Sequence, residues 1–222
     1  MTGPTAPRGR FITLEGGEGA GKSTQIRLLA DRLEQAGIAV RTTREPGGAP
    51  GSELIRDLIV KGAVDRWTPM TEALLITAAR AEHVARLIRP ALEQGQWVLC
   101  DRFFDSTVAY QGAARGLGMT EMTNLQQLAL GNFAPDLTLI LDLPVDVGLA
   151  RAVRREAGRT DGEDRFERMG QDFHSRLRRA YLEIAGQETA RCQVIDADRD
   201  IGAIHGDIWK SVADRMDVTD GG

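Results

Sequence analysis

The stretch "RFITLEGGEGAGKSTQIRLLADRLEQAG", residues 10–37, decides the fold. It opens with a short run rich in strand formers (10–15) and then turns through a glycine-rich loop. Beyond the loop, Ile26, Leu29, Ala30 and Leu33 fall at helical spacing, with Gly37 as the stop. Between strand and helix, Gly16-x-x-x-x-Gly21-Lys22-Ser23 matches the P-loop pattern. Glycines let backbone N–H groups converge on an oxyanion without Cβ crowding, and the following helix presents its positive N-terminus. The run Gly16, Gly17, Glu18, Gly19, Ala20, Gly21, Lys22, Ser23, Thr24 therefore reads as the phosphate cradle of a nucleoside triphosphate site. Lys22 is placed on the β- and γ-phosphates and Ser23 on Mg²⁺. Glu18 is the anomaly, a carboxylate inside an anion cradle.

Outward from the loop, strand-like runs alternate with helical patterns. "IAVRTT" (38–43), "QWVLCD" (96–101), "DLTLILDL" (136–143) and "CQVIDA" (192–197) join 10–15 to make five strands. The second and third of these four runs are apolar enough to be buried on both faces. Helical patterns start near 52 and run from 69 to 94, with a kink expected at Pro90; the last spans about 200–216. This alternation predicts an α/β fold, a mostly parallel five-stranded sheet with helices on both faces. One domain is expected over 10–216, between a disordered lead-in (1–9) and a flexible tail (217–222).

Composition narrows the class. The chain has 222 residues, 42% apolar and 27% charged, and a formal net charge of −4. That balance argues against nucleic-acid binding, which calls for a basic surface. No apolar run approaches the roughly 18–20 residues of a membrane span, and "MTGPTAPRGR" lacks a signal-peptide core. Cys100 and Cys192 fit neither a metal spacing nor a disulfide framework. A cytoplasmic location is expected. Of 28 basic residues only three are lysine, and one of those is Lys22.

The loop alone leaves a switch GTPase, an ATPase and a small-molecule kinase open. No Asn-Lys-x-Asp sequence is present to read guanine. A second acidic group beside Mg²⁺ would come from Asp101 or from Asp142, each closing a strand.

Further stretches follow in order: "TREPGG" (43–48), "AAR" (78–80), "DRFFDSTVAYQG" (101–112), "PDLTLILDLP" (135–144) and "DRFE" (164–167). With the P-loop they make the chain resemble the bacterial thymidylate kinases from about residue 10 to 216. The resemblance implies a three-layer P-loop kinase fold with an arginine-rich lid at about 150–165. It implies transfer of the γ-phosphoryl of ATP to thymidine 5′-monophosphate (dTMP), in dTTP biosynthesis, with Mg²⁺ as cofactor and a homodimer as assembly. It places Arg102 and Arg56 near the acceptor phosphate, Glu45-Pro46 at a turn shaping the acceptor pocket, and Arg80 on the thymine ring. Ser106, Thr107, Tyr110 and Gln111 align with the segment that reads base and sugar, Tyr110 excluding a 2′-hydroxyl. Glu18 is set near the acceptor's 3′-hydroxyl and the metal, beside Ser23 and Asp101. Arg44 serves either the same turn or a surface ion pair.

One departure from the family pattern matters. Ile76 stands where many relatives place a phenylalanine that stacks on thymine, which forgoes an aromatic term of about 0.5–1.5 kcal/mol and keeps a kinase for another base in view. With Glu18 in the loop, the catalytic cation must come from elsewhere. Arg151, Arg154 and Arg155 share a helical face, and Arg155 and Arg159 are the favoured donors, the alternative being a solvated basic helix.

Overall fold

The computed structural model describes residues 8–156, 165–166 and 168–218, with the side chains of 155 and 156 left out. The beginning of the lead-in, the end of the tail and the middle of the expected lid lie outside the described residues. Five strands form the sheet: β1 (Phe11–Glu15), β2 (Val40–Arg44), β3 (Trp97–Asp101), β4 (Leu137–Asp142) and β5 (Cys192–Asp196). Their order is β2-β3-β1-β4-β5 and every pairing is parallel. The chain winds first to one side of β1 and then to the other. The crevice outside the carboxyl end of β1 is therefore the topological switch point, where such sheets bind ligands.

Register aligns the strand ends, Leu14 beside Asp101 and Arg44 beside Asp101, so distant polar residues share one edge. The apolar strands behave as their composition requires: β1 is buried throughout, and β4 up to Leu141. On one face α1 (Lys22–Gln35) and α9 (Ile201–Met216) close a core of Ile12, Leu14, Leu29, Leu33, Leu139 and Trp209. On the other, α8 (Gln171–Gln187) packs Leu177, Tyr181 and Ile184 around Ile140.

Helix α2 (Pro50–Val60) leads to α3 (Pro69–His83), whose N-cap Thr68 accepts a hydrogen bond from Thr71 N. The single helix expected over 69–94 is instead three pieces. A π-helical turn, Val84–Ile88, separates α3 from α4 (Arg89–Glu93), which carries Pro90 in its first turn. Proline has no N–H to give and clashes with the preceding turn, and the widened coil accommodates it. After β3 come α5 (Phe104–Thr107), a second π-helical segment (Val108–Ala114) and α6 (Met119–Leu130); α7 (Val145–Glu156) follows β4.

Candidate active site

One cavity of about 730 Å³ opens at the carboxyl edge of the sheet. The phosphate loop forms one wall. Gly16, at φ 133°, has no room for a side chain, since a Cβ there would stand 2.5 Å from Leu141 O. At Gly19 a Cβ would fall on the carbonyl oxygen of Gly148 in α7, so this backbone-to-backbone approach demands glycine. The Lys22 ammonium curls back to donate to Gly16 O (3.1 Å) and Gly17 O (3.0 Å). Burial and the neighbouring Arg102 cation lower its pKa. Ser23 Oγ donates to Asp101 Oδ2 at 2.7 Å. Asp142, the rival acid, is held by the two-pronged guanidinium of Arg178 at 2.7 and 2.8 Å. A hydroxyl and a carboxylate side by side are hard oxygen donors, and Mg²⁺ needs only one or two of these beside phosphate and water. Ser23 and Asp101 fit it.

The opposite wall brings together the acceptor residues expected from the sequence. Glu18, Glu45, Pro46, Arg56, Ile76, Arg80, Arg102, Ser106, Thr107, Tyr110 and Gln111 all line the cavity. Glu45-Pro46 is a cis peptide. Arg56 Nη1 donates to Pro46 O (2.8 Å), bracing that turn. Arg44 also reaches the cavity but pairs with Glu53 at 3.2 Å, as an exposed ion pair. Buried Arg80 gives Nε to Glu45 Oε2 (2.6 Å) and Nη2 to Phe103 O and Thr107 Oγ1. Glu45 is backed in turn by His83, whose other ring nitrogen meets Thr43. Ile76 packs with Ile59 and Val60 in a small apolar cluster, against which Phe166 leans. Phe103 is fully buried against Phe11, Phe104 and Phe133. Phe166, which also lines the cavity, is the aromatic the sequence reading passed over.

Glu18 has a partner after all. Its Oε1 accepts from Arg102 Nη2 (2.8 Å) and from the Tyr110 hydroxyl (2.6 Å). Burial pushes the Tyr110 phenol well up, which keeps it a donor. Arg102 takes a left-handed backbone, φ 70°, unusual for a residue with a side chain. Its amide bonds to Leu14 O, and Nη1 reaches Gly16 O (2.9 Å), Ser106 Oγ and Tyr181 OH.

Beneath that turn lies Glu15, which the sequence reading missed. It is fully buried and accepts from Phe103 N (2.7 Å) and Ser106 Oγ (2.6 Å). Burial first, and then the charge of Asp105, raise its pKa to about 7. A lone carboxylate closing an apolar strand was the one available sign. Glu72 and Arg165, both fully buried and paired at 2.5 Å, were missed too, since each reads in sequence as an ordinary charged residue. Of the expected lid, Arg151 lines the cavity and donates to Ala197 O (3.2 Å), in the loop after β5. Arg159 and the side chain of Arg155 fall outside the described residues.

A parallel sheet with a phosphate loop at its switch point, facing an arginine-lined acceptor wall across one cavity, defines a P-loop nucleotide kinase. A family model described as thymidylate kinase matches residues 14–208. The thymidylate kinase of Caulobacter vibrioides is 56% identical over 209 residues, 94% of this chain and 98% of that protein. That of Bradyrhizobium diazoefficiens is 51% identical over 209 residues, covering 94% of this chain and 91% of its own. The crystal structure of thymidylate kinase from Ehrlichia chaffeensis superposes with a TM-score of 0.73 at 33% identity, over 93% of this chain and 99% of that one. The chain belongs to the thymidylate kinase family.

Proposed function

We propose that this enzyme transfers the γ-phosphoryl group of ATP to thymidine 5′-monophosphate, giving the diphosphate and ADP. The observation that carries it is a shared cavity, with Lys22 and Ser23 on one wall and Arg102, Arg80 and Tyr110 on the other. Phosphoryl transfer gives a protein little covalent work, so catalysis is alignment of two nucleotides and neutralisation of charge. Loop amides and Lys22 hold the donor phosphates, and a phosphate oxyanion offers Lys22 a better partner than the two carbonyls it now holds. Arg102 and Arg56 take the acceptor phosphate, and Glu18 holds Arg102 in position. Arg80 addresses the base: Nε and Nη2 are committed to protein among the described residues, which leaves Nη1 to face the ligand. Tyr110, fixed by its bond to Glu18, bars a ribose 2′-hydroxyl. Mg²⁺ on Ser23 and Asp101 would supply charge neutralisation at the β- and γ-phosphates. Arg155 and Arg159 supply the further cation. A coupled ADP-release assay over a panel of monophosphates tests the reading. Turnover with thymidylate is expected, and turnover only with another monophosphate refutes it.

Leu54 and Leu58 on α2, with Met70 and Leu74 on α3, are exposed apolar side chains at i, i+4 spacing on two packed helices. This patch supports a homodimer, which light scattering checks. No helix among the described residues is long and apolar enough to cross a membrane.

A further inference from the structure

Gln111 is 1% exposed, lines the cavity, and has one end of its amide tied down. Its Nε2 donates to Glu72 Oε1 at 2.8 Å, while its Oε1 is buried with no hydrogen-bond partner among the described residues. The orientation is forced. Glu72 is fully buried on α3, its Oε2 lies 2.5 Å from Arg165 Nη1, and Arg115 Nε stands 3.8 Å from Oε1. A carboxylate facing two guanidinium groups only accepts, so the amide must turn its NH₂ toward Glu72. Reversal would set carbonyl oxygen against carboxylate oxygen. Arg165 cannot drift away, because it also donates to Ile59 O, Ala63 O and Val64 O.

We propose that Glu72, held by Arg165, is a specificity-determining positioning residue that presents Gln111 Oε1 to the acceptor base as a fixed hydrogen-bond acceptor. This rests on the thymidylate reading and deepens it. Thymine carries a donor, N3–H, next to an acceptor, O4. Arg80 and Gln111 both line the cavity and offer the matching donor and acceptor. Cytosine reverses both groups, with a lone pair at N3 and an amine at C4. Sites built to hydrogen-bond a group reject analogues lacking it far more strongly than apolar pockets do. Glu72 touches no substrate and acts only through the polarity of the amide it holds.

The test measures kcat/KM for thymidine and deoxycytidine monophosphates with the full chain and ATP-Mg²⁺. Gln111→Leu removes the acceptor, and Glu72→Gln lets the amide turn over. Each is expected to lower the thymidine-to-deoxycytidine ratio by about tenfold or more, with the KM for ATP unchanged. The double variant is expected to fall no further than the single ones, since Glu72 works through Gln111. Should Glu72→Gln not fold, Glu72→Met with Arg165→Met removes the buried pair entire instead of stranding one charge, and serves the same comparison. A ratio within about twofold of wild type in either single variant, or additive losses in the double, overturns the proposal while leaving thymidylate kinase activity intact. A wild-type chain inactive on thymidylate overturns the functional reading, and this inference with it.

Discussion

Replacing Glu18 separates a bystander carboxylate from one that organises the acceptor site. Its Oε1 receives two short hydrogen bonds, from Arg102 at 2.8 Å and Tyr110 at 2.6 Å, in a setting where Glu18 and Arg102 are 12% and 15% exposed. Hydrogen bonds to charged groups contribute about 1.5–3 kcal/mol each. Arg102 keeps its bonds to Gly16 O, Ser106 and Tyr181, so only part of that is expressed when Glu18 is cut back. For Glu18→Ala a loss of about 2–3 kcal/mol in transition-state stabilisation is expected, which is about 30- to 160-fold in kcat/KM for thymidylate. Glu18→Gln keeps an acceptor for Tyr110 but loses the charge facing Arg102, and about a tenfold loss is expected. Arg102 retains its own charge in both variants, so the defect lies in orientation. The assay is steady-state ADP release with thymidylate varied at saturating ATP, with melting temperatures as the control for folding. Rates within about twofold of wild type in both variants would refute the argument that Glu18 aligns Arg102.

Three further outcomes are expected. Lys22→Met should lower kcat by about 10²–10³, the usual cost of removing one donor aimed at developing charge; full activity would remove Lys22 from the transfer step. Ile76→Phe should restore an aromatic face beside the base and lower the KM for thymidylate about two- to tenfold, and an unchanged or raised KM would show that the ring finds no base to stack on. Glu15 makes stability depend on pH. Its folded pKa, about 7, lies above the ordinary 4.5, so between those values the folded chain holds a proton that the unfolded chain has lost. Stability from this group is therefore full below about pH 4.5, declines as pH rises to about 7 and is level beyond, by on the order of 3 kcal/mol. Urea melts of wild type against Glu15→Gln across that range read the difference; parallel profiles would contradict it.

Local grammar made much of this molecule legible. The strand, glycine loop and helix proposed to hold the ATP phosphates occupy contiguous residues, and each step follows from backbone sterics and apolar period. The five strand-like runs became the strands, and the parallel arrangement followed from their alternation with helices. Ordered motifs led to the expected acceptor residues, and the cavity gathers all of them. Pro90 announced a disruption, but sequence could not say that a π-helical turn would take it up.

The rest was decided in three dimensions, because hydrogen bonds depend on neighbours that no periodicity encodes. Placing β1 beside β3 in the register Leu14 to Asp101 brings the phosphate loop next to the turn after Asp101. Only then does Glu18 meet Arg102, Glu15 meet Ser106, and Ser23 choose Asp101 over Asp142. The same holds for Glu72, which reads in sequence as an ordinary helix acid. Folding buries it between Arg165 and Gln111, where its charge dictates which end of an amide the ligand encounters. By itself the sequence determined which loop has the backbone to cradle a phosphate. Tertiary structure decided which buried charges face each other, and in a low-dielectric interior those pairings orient the groups that act.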